Sequence, residues 1–388
     1  MHHEDLMIKN MIRPVLYFRT IYLVALIIGS SPEATFAQVK DLELPGIFKG
    51  KEGGPGRVRI QGRDRKPDEP APTSPAEELI DFRDEMRKFI QSISQYARQK
   101  KPGFIIIVQD GLDLLIKRDD IEETNTSPAR TYIRSIDGIL AQGLFLDIKR
   151  RGQPTPTNKQ TTMLDRVATA KRSGLKIFTL DVSKNKSRID TVTKKSLKLG
   201  YIPLISDLPF DDISSLPDYP TVPSDENAGS ILSLSQVKNF AVIANSQAFG
   251  QESEFALKMH DNNYDMVVVD IFHRRKPLSR QAVETLKYKK VGAKRLALAQ
   301  IDIGSAASYA YYWRNNWGEG FPLFINAPLR EDPDRYNVEF WRPGWQKLIS
   351  GNTDSYVYGL IAQGFDGALL KGADAIKFFE GEAEGESD

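Results

Sequence analysis

Apolar residues recur along this chain in two rhythms. Phe82, Met86, Phe89, Ile90, Ile93 and Ala97 fall at helical spacing and predict a helix with one apolar stripe. Directly after it, Phe104-Ile105-Ile106-Ile107-Val108 is an unbroken apolar run opened by Pro102-Gly103, the pattern of a strand buried on both faces. Further strand-like runs are predicted at Tyr132 to Ile139, Ile177 to Leu180, Tyr201 to Ile205, Phe240 to Ala244, Met266 to Val269, Leu296 to Ile301, Val338 to Trp341 and Gly367 to Leu370. Helical stretches such as Gln281 to Lys290 and Trp345 to Ala362 separate many of them. Eight or nine buried parallel-type strands with intervening helices in about 300 residues predict an α/β fold, a single (β/α)8 TIM-type barrel rather than a doubly wound sheet. No strand is followed by a Gly-rich phosphate loop, which a dinucleotide or P-loop fold would carry.

Outside that region the patterning stops. Residues 38–78 are rich in Gly, Pro, Lys and Arg, and Lys49 to Lys66 alone carries seven basic and two acidic residues. Such a segment buries too little to offset its ordering entropy, so it is expected to be a disordered tether. The acidic tail, 381–388, is expected to be disordered as well. Within 79–380 a Pro-rich stretch, 207–236, containing Pro209, Pro217, Pro220 and Pro223, divides the barrel strands into 79–206 and 237–380.

Further upstream, Lys9, Arg13 and Arg19 precede the apolar run Ile21 to Ile28, and small residues lead to Ala34-Thr35-Phe36-Ala37. Basic flank, short apolar core and small-residue exit predict a signal peptide over 1–37, hence an extracytoplasmic (secreted or periplasmic) protein. An uncleaved anchor is the alternative, although the run is shorter than the roughly 20 residues a bilayer span requires.

Composition narrows the chemistry. The 388 residues carry a net charge of only +2, which gives no field toward nucleic acid or anionic lipid. With no cysteine and four histidines, thiolate catalysis and Cys- or His-rich metal sites are excluded, and no metal or organic cofactor is implied.

Barrel enzymes place their working groups at the C-terminal strand ends. Polar residues follow the apolar runs here at Gln109-Asp110-Gly111, Asp137-Gly138, Asp181, Asn245, Asp270, Asp302, Arg342 and Lys371. Each taken singly is more often a cap or loop acceptor than a catalyst. All four tryptophans, Trp313, Trp317, Trp341 and Trp345, fall within 33 residues, with Tyr309, Tyr311, Tyr312 and Tyr336 beside them. Aromatic faces suit sugar rings, and core packing accounts for such a cluster equally well.

Several segments resemble the polygalactosaminidase-type glycoside hydrolases, glycoside hydrolase family 114. They are Asn263 to Asp270, Leu298 to Ala306 with Tyr309 to Trp313, Phe340-Trp341-Arg342-Pro343-Gly344-Trp345-Gln346, and Gly364-Phe365-Asp366-Gly367 to Ala375. Met86 to Ile90, Pro102 to Gly111, Ile136-Asp137-Gly138 and Gly200 to Pro203 resemble later parts of the family pattern. Here these later parts come first, so the resemblance implies a circularly permuted barrel whose ancestral ends are joined by 207–236. It also implies lost acids. Arg342 and Lys371 stand where the family has Asp, Ser305 where it often has Glu, Leu369 where some branches have Glu, and Gln142 at a further acidic position. Neither Arg nor Lys can replace a carboxylate in glycoside cleavage.

Three readings follow. The first is a non-catalytic barrel binding an amino-sugar or acidic polysaccharide through Trp341, Arg342, Lys371, Tyr309, Trp313, Gln109, Asp137, Asp181 and Asp270. The second is a hydrolase using other acids, Asp302, Glu339, Asp374 or Asp110. The third is a structural or interaction protein of the cell envelope, its mouth closed by ion pairs of Arg342 and Lys371 with Asp302 and Asp270.

Overall fold

The computed structural model describes residues 80–118, 126–274 and 276–381, all within one compact unit. The expected signal peptide and linker, and the acidic tail beyond 381, lie outside the described residues. Among the described residues no helix is long and apolar enough to cross a membrane.

Eight strands form one parallel sheet: β1 (Ile105–Gln109), β2 (Gly138–Gln142), β3 (Lys176–Val182), β4 (Ile202–Ser206), β5 (Phe240–Ile243), β6 (Met266–Asp270), β7 (Leu296–Asp302) and β8 (Gly367–Lys371). The order across it is β4-β3-β2-β1-β8-β7-β6-β5, so each strand neighbours its sequence neighbour and β8 pairs with β1. The open edges β4 and β5 lie side by side with Cα atoms within 8 Å but without ladder hydrogen bonds. The result is a nearly closed TIM-like barrel with one seam. Edge-to-face packing of Phe178 on β3 against Phe240 on β5, ring centres 5.1 Å apart, spans that seam.

The described residues open on a helix rather than a strand. Helix α1 (Phe82–Lys100) is capped by the Asp81 carboxylate, which accepts the Asp84 N–H at 2.9 Å, and buries its predicted stripe. The connecting helices are α2 (Arg130–Ser135), α3 (Thr157–Arg172), α4 (Lys186–Lys198), α5 (Glu252–His260), α6 (Arg280–Leu286), α7 (Pro343–Ile349), α8 (Tyr356–Gln363) and α9 (Ile376–Phe379). Between β4 and β5 there is no α-helix. A strap, 207–236, descends the seam instead. At the C-terminal rim the Ile213 carbonyl accepts the Ala244 and Asn245 N–H groups at 2.9 and 3.0 Å. At the opposite rim the Asn227 and Gly229 carbonyls each accept Lys289 Nζ at 3.0 Å, and Lys289 pairs with Asp265 at 2.6 Å, both side chains fully buried.

Three predicted elements are corrected. Tyr132 to Ser135 is helical, not strand: Tyr132, Ile133 and Ile136 are buried at helical spacing, and β2 starts only at Gly138. Val338 to Trp341 is no barrel strand. Val338 ends an antiparallel strand, Arg335–Val338, which pairs with Ser305–Ala307 and Ile325–Pro328 in a small sheet inserted between β7 and α7. The helix expected over Trp345 to Ala362 is two helices, α7 and α8, broken at 350–355.

Candidate functional site at the barrel mouth

The C-terminal strand ends open into two cavities. The first, of about 610 Å3, is walled by the ends of β5 to β8 and by the insert between β7 and α7. The second, of about 1190 Å3, lies over β1 and β2. Asp211 on the strap and Arg335 on the insert line both.

Within the first cavity, strand register fixes the polar groups. Asp270 on β6 stands opposite Gln300 on β7, and Asp302, two residues further along β7, stands opposite Lys371 on β8. Asp270 and Asp302 thus sit diagonally across adjacent strands, two residues apart in register. Asp302 is fully engaged. Its Oδ1 accepts the N–H groups of Gly304 (3.0 Å) and Ser305 (2.8 Å), and its Oδ2 accepts Ser305 Oγ and Arg335 Nη1, both at 2.7 Å. Those four contacts fill the acceptor positions of a carboxylate. Gly304 permits the turn: a Cβ there would lie 2.1 Å from the Gly372 carbonyl. Arg335 has its pKa raised, because Asp302 and other nearby groups outweigh burial, which alone would lower it.

Asp270 accepts the Phe272 N–H at 2.8 Å and Gln300 Nε2 at 3.2 Å, and burial pushes its carboxyl pKa up. Lys371 is ion-paired with Asp211 and sits 3.9 Å from Asp302. Aromatic rings form the remaining wall. Tyr311 packs against Phe272 (4.9 Å), Tyr312 (5.3 Å) and Tyr356 (5.6 Å), and burial raises the pKa of all three phenols. Tyr309 is 54% exposed, its hydroxyl held by Arg335 at 2.8 Å.

In the second cavity Asp110 accepts the Gln142 N–H and Nε2 at 2.9 and 2.8 Å. Its pKa is raised to about 6, by burial first and by the Asp374 charge second.

Of the residues singled out from sequence, Asp302, Asp270, Lys371 and Tyr309 meet in the first cavity, and Asp110 and Asp374 meet in the second. Asn245, Ser305, Tyr311 and Tyr312 join the first and Gln142 the second, whereas the remaining candidate site residues stand apart. Asp137 lies at the opposite rim, because it precedes β2; it accepts Arg98 Nη2 at 2.8 Å and the Ile106 N–H at 2.7 Å. Asp181 is sealed beneath a turn, and Gln109 is buried at the end of β1 with its Oε1 lacking a hydrogen-bond partner. Arg342 pairs with Glu339, not with a cavity acid, and neither residue lines either of these two cavities. Trp341 packs among Phe82 (5.0 Å), Phe340 (5.0 Å) and Phe379 (4.7 Å), and Trp313 stacks on Tyr336 (5.2 Å). For the tryptophans core packing prevails. Trp345, fully buried, donates its indole N–H to the Ile303 carbonyl at 2.9 Å.

Sequence reasoning missed Arg335, Asp211 and Tyr356 as cavity residues. The first two come from the insert and the strap, whose placement no local pattern encodes. Gln300 did carry a signal, as a polar residue inside the apolar run Leu296 to Ile301.

No protein-family model matches the chain. Its similarities are to uncharacterized proteins: MJ1477 of Methanocaldococcus jannaschii, 30% identical over 120 residues (31% of this chain, 33% of that protein); one of Deinococcus radiodurans, 30% over 122 residues (31% and 36%); and one of Thermotoga maritima, 24% over 123 residues (32% and 36%). The matched stretch thus spans about a third of each relative. The architecture defines the chain as a TIM-like α/β barrel.

Proposed function

We propose that the first cavity binds a glycan, an amino-sugar or acidic polysaccharide, without hydrolysing it. The observation that carries this reading is the state of Asp302: four donors occupy it, and a lysine, not a second acid, faces it across the register. Glycoside cleavage needs one carboxylate free to act as base or nucleophile and another to protonate the leaving group. Tyr309 presents an exposed ring to the same cavity, a platform for the apolar face of a sugar. The reading includes the family 114 resemblance, export through the N-terminal signal, and a role at the cell envelope with a mature chain beginning at Gln38.

A second reading keeps hydrolysis. Asp270 and Asp302 share one cavity, as a pair of glycosidase acids would, and burial raises the pKa of Asp270 in the direction a proton donor needs. It requires Asp302 to exchange Arg335 for substrate.

Circular permutation belongs to the same proposal. It is supported by the unladdered seam between β4 and β5 and by the irregular strap where the other crossovers carry helices.

Sedimentation with insoluble polymers tests the binding reading. The full chain is expected to be retained by an acetylated or de-N-acetylated galactosamine polymer or by polygalacturonate. Tyr309→Ala should weaken retention about two- to tenfold, the worth of one aromatic contact. Indifference of retention to Tyr309 would place binding elsewhere.

A further inference from the structure

Lys371, the last residue of β8, has a partner that comes from outside the barrel wall. Its side chain is only 9% exposed. The carboxylate opposite it, Asp302, is 3.9 Å away and already committed to Arg335 at 2.7 Å. Asp270, the other acid of the cavity, is engaged by Phe272 and Gln300. The direct ion pair of Lys371 is with Asp211, whose side chain is 61% exposed. Asp211 sits in the 3-10 turn Phe210–Asp212 of the strap, pinned on either side by the buried Phe210 and Ile213.

The pairing is therefore asymmetric. An exposed carboxylate regains water when it leaves, whereas a nearly buried ammonium left with only the 3.9 Å contact to an acid shared with Arg335 carries a desolvation cost. Departure of Asp211 is thus favourable only when another anion takes its place, and the vacated position faces the cavity that Tyr309 borders. An ammonium group on a ligand could not take Asp211's place at Lys371, since like charges repel.

We propose that Lys371 selects a carboxylate-bearing sugar, a uronic acid unit of an acidic polysaccharide, and that Asp211 is an intramolecular stand-in which the sugar carboxylate displaces. The proposal rests on the glycan-binding reading and narrows it to one ligand class. Asp211 then acts as a competitor that sets affinity. Removing it raises the fraction of molecules with an open Lys371 and strengthens binding by the same factor.

The test compares affinities of the full chain for oligogalacturonate, its methyl ester and a de-N-acetylated galactosamine oligomer. Asp211→Asn should tighten oligogalacturonate binding by about three- to tenfold and leave the methyl ester unchanged. Asp261→Asn, which removes an exposed acid at the C-terminal end of α5, controls for net charge and should alter both by less than about twofold. Lys371→Met should abolish the preference for free acid over ester; if it does not fold by circular dichroism, the Asp211→Asn arm decides alone. Equal tightening for acid and ester, no tightening, or strongest binding of the galactosamine oligomer would overturn the proposal while leaving glycan binding intact. Binding of none of the three would overturn both.

Discussion

The amides of Phe145 and Leu146 converge on Oδ1 of Asp181 at 2.8 and 2.7 Å, and Oδ2 is buried without a hydrogen-bond partner. Asp181 therefore holds the turn after β2, and its charge is not what the turn requires. Burial raises its pKa to about 6 despite the two amides. An unfolded aspartate titrates near 3.9. Between those values the folded state holds the extra proton, so this group adds stability as pH falls from about 6 toward about 4 and withdraws it as pH rises again. Asp110, also raised to about 6, acts in the same direction. Asp181→Asn keeps an acceptor for both amides; urea unfolding should show a weaker pH dependence across that window with the fold retained. Asp181→Ala leaves two buried N–H groups unpaired and should cost roughly 2–4 kcal/mol at neutral pH. Equal behaviour of the two variants would contradict the turn-anchor role. Residue type and strand-end position were legible for Asp181, Asp270 and Asp302 alike. What separates them is which backbone amides fold back onto each, and that depends on loops that sequence periodicity does not describe.

Among the elements, the strands buried on both faces were the legible part. Runs such as Ile105 to Val108 and Met266 to Val269 have no polar position to confuse their period, and they appear as β1 and β6. Errors arose where a short apolar run fits two periods. Val338-Glu339-Phe340-Trp341 alternates like a strand, but it leads out of the inserted sheet into α7, whose first residue is Pro343. The strap is the element that distinguishes this barrel, because it joins β4 to β5 without a helix or a ladder. If it is a late joint between ancestral ends, the barrel does not need its continuity. A chain recut within the strap, with residues 80 and 381 linked by a flexible segment, should fold to the same circular dichroism spectrum and cooperative melt. An uncooperative or aggregated product would contradict permutation.

At the scale of the molecule, the cavity draws one wall from the barrel, one from the insert and one contact from the strap. Lys371, Arg335 and Asp211 meet in space although 160 residues separate the first from the last in sequence. The central claim is that this mouth holds a glycan and leaves its bonds intact. Reducing-end release, measured beside retention of the full chain on the same polymers, tests it most directly. The account predicts retention with no release above a protein-free control, for the wild type and for Asp302→Asn alike. Release by the wild type that disappears in Asp302→Asn would contradict it and make Asp302 a working acid.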